Sequence, residues 1–131
     1  MHIRVMAAVA GLAVCAAGGV RAQVVDTTRK ESVPAAELLT PAVIDAGRKI
    51  FHGPGTCYAC HGPNLQGGPV APPLTGKTWR HITGTFDAII NRIDEGKPGT
   101  LMVSHPGKIT ETQVFMVAAY IYAVSHNLAK P

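Results

Sequence analysis

The chain contains the run Cys57-Tyr58-Ala59-Cys60-His61 near the middle of its 131 residues. Two cysteines separated by two residues and followed directly by a histidine form the C-x-x-C-H haem attachment signature. At this spacing two thiols can reach the two vinyl groups of one haem and form thioethers, and the histidine is then held beneath the iron as an axial ligand. The run therefore predicts one covalent haem c, attached through Cys57 and Cys60, with His61 on the iron.

Three other kinds of site could use the same cysteines. A thioredoxin-like redox pair needs a strand before the first cysteine, whereas a helical pattern and the turn Gly53-Pro54-Gly55 precede Cys57. A structural zinc site needs a second pair of ligands at a defined spacing. A plain disulfide explains neither the adjacent His61 nor the long loops around it. The remaining histidines after the signal peptide are scattered and form no second pair of zinc ligands: His52, His81, His105 and His126. We favour haem over all three alternatives.

The N-terminus predicts export. Residues 1–22 begin with a short basic segment, continue through the uncharged run Val5–Val20 and end on Val20-Arg21-Ala22, which is the layout of a cleaved signal peptide. The alternative, an uncleaved anchor, is disfavoured because the apolar run is shorter than the ~20 residues that span a bilayer. Cys15 is interpreted as an apolar filler that is lost with the signal. We expect a periplasmic protein with no membrane span after cleavage.

The charge of the mature chain excludes one class of partner. Removal of residues 1–22 takes away Arg4 and Arg21 and leaves ten basic and eight acidic side chains, a net charge of +2. Two haem propionates would bring this charge near zero. No basic stripe with interleaved aromatic residues is present, so no nucleic-acid partner is expected.

The rest of the chain predicts a single all-α domain. Residues 23–39 are polar and aperiodic and are predicted to form a flexible leader, so the folded domain spans residues 40–131. Apolar residues recur at helical spacing in three segments, one of which ends at Gly96. Each segment follows a threonine suited to cap a helix: Thr40, Thr85 and Thr110. Gln113 completes a capping box in the last. Two long loops separate these helices: Gly53–Gly76 and Lys97–Ile109. The first loop is long for one without its own core, which suggests that a large ligand supplies the core.

From Thr40 to Ser125 the chain resembles the class I c-type cytochromes, especially short bacterial members with a C-x-x-C-H-G core. Gly47 and Phe51 match the glycine and aromatic pair of the family's first helix, and Val117-Ala118-Ala119-Tyr120-Ile121 is similar to its last helix. The resemblance implies the class I cytochrome c fold, with three to five helices and long loops around one haem. It also implies that the first and last helices cross at Gly47, which explains a glycine that otherwise costs a helix ~1 kcal/mol.

The resemblance also implies roles for residues beyond the attachment motif. Ala71-Pro72-Pro73-Leu74-Thr75-Gly76 is similar to the family's Gly-Pro-x-Leu-x-Gly segment, with Ala71 as a departure. By that match the Pro72 carbonyl accepts a hydrogen bond from His61, and Leu74 packs on the haem face. Trp79 is either a core aromatic or, like similar loop tryptophans of the family, a donor to a haem propionate, and we favour the second role. Arg80 could pair with the same carboxylate or face water.

The resemblance further implies a sixth iron ligand from the loop before the last helix. We predict Met102, although Val103 follows it where the family usually has proline. Met116 lies in an apolar helical run and is predicted to pack in the core. His105 could compete but is predicted to be a solvated side chain of a flexible loop. Most remaining charges, Arg92 among them, are expected to face solvent, and the alternative is that some rim the haem edge and steer partners.

Together these features predict an electron carrier rather than an enzyme. His/Met ligation raises the reduction potential of the iron, which suits transfer of single electrons between a periplasmic dehydrogenase or other donor and a terminal oxidase or other acceptor. Its partners would be transiently bound redox proteins. Two alternatives stay open: a haem subunit of a larger dehydrogenase or oxidase complex, and a haem sensor or enzyme with an open sixth position. We expect a monomer or a subunit of a redox complex.

Overall fold

A computed structural model of the protein describes residues 38–131. The predicted signal peptide (1–22) and residues 23–37 of the predicted leader lie outside the described residues. Four α-helices follow in chain order: α1 (Pro41–His52), α2 (Tyr58–His61), α3 (Phe86–Glu95) and α4 (Glu111–Ser125), with a 3-10 turn at Pro106–Lys108 before the last. The predicted all-α fold is confirmed, since residues 38–131 contain helices and no strand. At four residues, α2 is too short for hydrophobic periodicity to have predicted it.

The three predicted N-caps are present. The side chains of Thr40, Thr85 and Thr110 each accept a hydrogen bond at 3.3 Å from the backbone N–H three residues further on. The Thr110 backbone N–H in turn donates to Gln113 Oε1 at 2.9 Å, which completes the predicted capping box. These caps satisfy backbone donors that a helix start otherwise leaves without partners. They explain why three helix boundaries could be derived from local sequence.

Helices α1 and α4 cross in direct contact at Gly47. A Cβ atom placed on Gly47 would lie 2.0 Å from the backbone oxygen of Met116 and 2.9 Å from Cβ of Tyr120. Any side chain at position 47 would collide with the backbone of α4, so the predicted close approach is confirmed. Phe51, one turn further along α1, is fully buried, and its ring meets that of Tyr120 edge to face with centroids 5.6 Å apart.

Helix α4 is the centre of the molecule, because α1 and α3 both pack against it. Its residues from Val117 to Val124 are all buried, which places an apolar helix between two amphipathic ones. Three residues of α3 are buried: Phe86, Ile89 and Ile93. Met116 is partly buried against this core, as predicted. Within residues 38–131 no helix is long and apolar enough to cross a membrane.

The long segment between α1 and α3 is held by hydrogen bonds rather than by regular structure. The Gly67 N–H donates to the His61 carbonyl at 2.7 Å, and the Leu74 N–H donates to the Leu65 carbonyl at 2.8 Å. Leu65 is the fully buried anchor of this segment. These contacts fold the chain after α2 back on itself, so that residues 71–74 return to His61.

Candidate haem site

One apolar cleft of about 430 Å³ lies between the loops and the faces of α3 and α4. All seven residues that the sequence predicted to hold a cofactor line it: Cys57, Cys60, His61, Pro72, Leu74, Trp79 and Met102. They come from three separate parts of the chain, namely the α2 region, the segment after it and the loop between α3 and α4. The fold therefore brings together every predicted site residue.

Two helices supply the apolar walls of the cleft. Ile89 and Ile93 of α3 and Val117 and Ile121 of α4 line it, each pair one helical turn apart. Three cationic side chains also line it, Arg80, Arg92 and Lys97, and none of its lining residues within 38–131 is acidic. The arrangement suits a flat apolar group that carries negative charge at its edge.

The geometry of His61 leaves one ring nitrogen available for a metal. Its Nδ1 lies 2.9 Å from the carbonyl oxygen of Pro72, so that nitrogen carries the hydrogen and donates it. Burial lowers the pKa of His61, and the bond to the Pro72 carbonyl offsets this only in part. The neutral ring that results keeps its lone pair on Nε2. The hydrogen bond to Pro72 that the resemblance implied is present.

The Cys57 thiol is partly buried and held in its neutral form. Burial raises the pKa of the Cys57 thiol to about 11, and this thiol donates a hydrogen bond to the Gly55 carbonyl at 3.4 Å. Redox-active cysteines need a lowered pKa, because the thiolate is the attacking species. Cys60, on α2, is half-buried at the same cleft.

The loop between α3 and α4 presents Met102 to the cleft. The Lys97 N–H donates to the Met102 carbonyl at 2.7 Å, and the Met102 N–H donates to Thr100 Oγ1 at 3.1 Å. The Met102 side chain is half-buried and packs against the core. Met116 does not line the cleft, and neither does His105.

Two side chains predicted to face solvent are in fact bound to the protein. His105 Nε2 lies 3.3 Å from Asp94 Oδ1, and its Nδ1 lies 2.9 Å from Ser104 Oγ. Arg92 donates from Nη1 to the Gly96 carbonyl at 2.8 Å. Arg92 lines the cleft, which agrees with the alternative expectation for these charges, whereas the contact of His105 with Asp94 forms only once the loop after α3 has folded.

His52 is a further residue that the sequence did not single out. Its Nδ1 lies 2.9 Å from the carbonyl oxygen of Arg48, within α1, and its Nε2 lies 2.8 Å from that of Pro63, just after α2. The ring is stacked on Tyr58, with centroids 6.1 Å apart. His52 thus ties the end of α1 to the attachment loop. In the sequence, the only indication of this role was the position of His52 directly after Phe51, which is buried.

Trp79 and Leu74 form another part of the lining. The indole of Trp79 packs on Gly84, where a Cβ atom would lie 2.1 Å from Nε1, and Gly84 has a φ of 79°. Leu74 is half-buried at the cleft. The role of Trp79 as a propionate donor stays a prediction.

The residues of the cleft fit haem c. They offer two thiols, a neutral imidazole, a thioether and apolar walls, which are the groups that c-type haem binding uses. The buried Nε of Arg92 has no hydrogen-bond partner among residues 38–131. A carboxylate at the cleft edge would supply that partner.

Comparison with known families agrees with this chemistry. The sequence model of the family "Cytochrome C oxidase, cbb3-type, subunit III" matches residues 42–121, more than half of the chain. The chain belongs to this family of c-type cytochromes. The cytochrome is also 31% identical over 67 residues to cytochrome c-554(548) of Halomonas halodenitrificans, which covers 50% of this chain and 81% of that protein. It accordingly binds haem c covalently, and its chemistry is electron transfer through the haem.

Solved structures support the fold of this cytochrome. Cytochrome cL from Methylophaga aminisulfidivorans superposes with a TM-score of 0.58 at 18% identity, covering 70% of this chain and 59% of that one. Cytochrome cL from Hyphomicrobium denitrificans gives 0.54 at 23% identity, covering 65% and 48%. This chain therefore spans about half the length of these two proteins. The c-type cytochrome NirC gives 0.50 at 20% identity, covering 70% of this chain and 99% of NirC.

Proposed function

We propose that this cytochrome is an exported monohaem electron carrier that passes single electrons between a periplasmic donor, such as a dehydrogenase, and an acceptor, such as a terminal oxidase. One observation carries the proposal: Cys57, Cys60, His61 and Met102 line the same apolar cleft. Two covalent anchors and two different axial donors at one cleft suit a haem whose iron is enclosed on both faces. An iron held in this way exchanges electrons without binding a substrate.

Cys57 and Cys60 would hold the cofactor covalently. Each thiol adds across one vinyl double bond, so that a C–S bond forms, the thiol hydrogen moves to the neighbouring carbon and no net oxidation occurs. Cys57 directly precedes the four-residue helix α2, and Cys60 lies within it. This spacing keeps both thiols on one side of the chain. A small protein gains from this tether because its core is too thin to retain a large ligand by burial alone.

His61 and Met102 would be the axial ligands. The hydrogen bond from Nδ1 to the Pro72 carbonyl orients the imidazole of His61 and raises its basicity as a ligand. The thioether of Met102 favours Fe(II) and raises the potential. When bound, haem c supplies an iron that alternates between Fe(III) and Fe(II). The isoleucine and valine walls limit the access of water and so also tune the potential.

The mouth of the cleft has the character of a transient contact surface. Val70, Leu101 and Val103 line the cleft and are 61%, 76% and 59% exposed. Arg80 and Lys97 flank the same opening. Small contacts that combine an apolar centre with charges are typical of short-lived redox complexes. Export through the predicted signal peptide, residues 1–22, would place this surface in the periplasm.

A second candidate is a haem subunit of a larger oxidase or dehydrogenase complex. The name of the matched family, which refers to a subunit of a cytochrome oxidase, favours it. Its chemistry at the cleft is the same, and only the partner differs. Size-exclusion chromatography of the protein from its native membranes and periplasm separates the two: a carrier elutes alone, and a subunit elutes with its complex.

The experiment that tests the carrier function uses the mature holoprotein. We expect the reduced-minus-oxidised spectrum, taken with and without denaturing pyridine, to show one haem c per chain. We also expect the reduced protein to bind no carbon monoxide at neutral pH. Rapid formation of a carbon monoxide complex would contradict the carrier proposal and favour a sensor or enzyme with an open sixth position.

A further inference from the structure

The loop from Lys97 to His105 carries Met102 and is joined to the end of α3 at both of its ends. At the start of the loop, Gly96 has a φ of 65° and lies against the backbone of Ser104. A Cβ atom on Gly96 would lie 2.6 Å from the Ser104 nitrogen. At the return, the His105 N–H donates to the Ile93 carbonyl at 3.0 Å. The loop is therefore closed upon the last turn of α3.

Side chains reinforce this closure at one point. Ser104 Oγ donates to the Asp94 carbonyl and lies 2.9 Å from His105 Nδ1. The other ring nitrogen, Nε2, lies 3.3 Å from Asp94 Oδ1, an ion-pair contact when the imidazole carries both of its hydrogens. That carboxylate oxygen is buried and has no hydrogen-bond partner among the described residues, so a protonated His105 supplies the charge that compensates it. Asp94 and His105 thus depend on one another.

The backbone of His105 is in an unfavourable conformation that these contacts maintain. Its φ is 44°, in the left-handed region that non-glycine residues rarely adopt. Such a conformation persists where surrounding contacts over-determine it. It reverses the chain so that Pro106 and Gly107 return to the cleft, where they are lining residues. A Cβ atom on Gly107 would lie 1.7 Å from the Pro54 carbonyl oxygen, so this turn has no space to shift.

We infer that the Asp94–His105 pair is the positioning element for Met102: it holds the loop against α3 so that the thioether stays on the iron. Both residues act through the loop, and neither lines the cleft. The inference rests on the proposed ligation by Met102. It gives His105 a role other than that of a competing ligand, because both of its ring nitrogens already have neighbours within the protein.

The experiment measures how readily the thioether leaves the iron. Saturating imidazole is added to the oxidised holoprotein, and replacement of sulfur is followed as loss of the weak long-wavelength Fe(III)–sulfur absorption. We expect His105→Ala and Asp94→Ala to keep this absorption without imidazole and to lose it about fivefold faster than the parent, the factor that follows from losing one partly exposed ion pair at its upper limit. The double variant should match either single variant, because the two residues act as one pair.

Two control variants separate the pair from general effects of charge or of histidine. Glu95→Gln removes the neighbouring, exposed carboxylate of the same turn. His126→Ala removes a histidine that also contacts a preceding serine, Ser125 Oγ, at 3.0 Å, but at the end of α4. Both should exchange at the parent rate.

A third variant separates the side-chain contact from the backbone conformation. Asparagine tolerates the left-handed region but lacks the reach of the imidazole to Asp94, so His105→Asn should exchange as fast as His105→Ala. If His105→Asn behaved like the parent, backbone conformation alone would hold the loop and the inference would be overturned. Parent rates in His105→Ala and Asp94→Ala would overturn it while leaving Met102 as the ligand. A parent protein without the sulfur absorption would overturn both the inference and the proposed ligation.

Discussion

The crossing of α1 and α4 and the haem cleft are built by opposite means. At the crossing, backbone touches backbone at Gly47, and fully buried side chains such as Phe51 and Tyr120 fill the space around it. At the cleft, loops surround about 430 Å³ that no side chain fills. The crossing is complete within the polypeptide, whereas the cleft is completed by the cofactor.

This difference assigns stability and function to different parts of the chain. The helix crossing buries apolar surface and should resist unfolding whether or not the haem is reduced. The loops instead hold ligands by single hydrogen bonds, such as the one between His61 and Pro72. Substitutions at the crossing should therefore change the free energy of unfolding. Substitutions at the cleft should change the attachment or the ligation of the haem.

The largest expected effect is loss of the covalent haem. A double variant, Cys57→Ala with Cys60→Ala, should have the bare mass of the mature polypeptide under denaturing conditions, because no thioether remains. The parent should have that mass plus one haem. Ala59→Ser, between the two cysteines and exposed, is the matched control and should keep the haem. A parent at its bare polypeptide mass, purified from cells that attach haem, would contradict attachment through these cysteines.

The next effect concerns the crossing. In an ordinary helix Gly→Ala stabilises, by up to ~1 kcal/mol. At Gly47 the new methyl would meet the Met116 carbonyl, so we expect Gly47→Ala to lower the free energy of unfolding by ~1–3 kcal/mol and Gly47→Val to lower it further. Urea unfolding of the oxidised holoprotein measures this. Ala42→Gly, at an exposed position of α1, reports helix propensity alone. Equal midpoints for the parent and both Gly47 variants would disprove the close crossing.

The smallest effect comes from one buried hydroxyl. Tyr120 is fully buried, and its hydroxyl has no hydrogen-bond partner among residues 38–131. We expect Tyr120→Phe to leave stability at pH 7 unchanged or to raise it by at most ~1 kcal/mol. The edge-to-face contact of the ring with Phe51 is retained.

The same substitution should change the response to alkali. Burial raises the pKa of Tyr120 above its ordinary value, and Arg48 opposes this only in part. The folded state therefore favours the neutral phenol. Above about pH 10 the tyrosine of the unfolded chain ionises while that of the folded protein does not, so the stability of the folded state falls as the pH rises. Tyr120→Phe should show a smaller loss of stability between neutral and alkaline pH. An equal loss in both proteins would show that Tyr120 does not ionise differently on folding.

Local sequence predicted the parts of the fold that depend on local contacts. The caps at Thr40, Thr85 and Thr110 are side-chain bonds to a backbone group three residues away, so they could be derived residue by residue. The attachment motif is likewise a contiguous run. The crossing at Gly47 was implied by family resemblance and by the cost of a helical glycine, and no local rule placed Met116 opposite it.

The contacts that were mispredicted depend on residues brought together by folding. His105 was expected to face solvent because its loop is rich in glycine and proline, yet Asp94, eleven residues earlier, is its neighbour. The bond from His52 to Pro63 crosses from α1 to the attachment loop in the same way. Such pairings have no period or spacing from which they could be derived. The bond from Arg92 to the Gly96 carbonyl, by contrast, spans four residues at the end of α3, a spacing at which a basic side chain can reach the last carbonyls of its own helix.

The absorption spectrum of the oxidised protein reports the atom on the sixth position of the iron, so it distinguishes Met102 from any other ligand. We expect a weak long-wavelength Fe(III)–sulfur absorption in the parent and in His105→Ala, and its loss in Met102→Ala. Met116→Leu, which alters the other methionine of residues 38–131, in α4, should retain it. Absence of this absorption from the parent, or its survival in Met102→Ala, would contradict ligation of the iron by Met102.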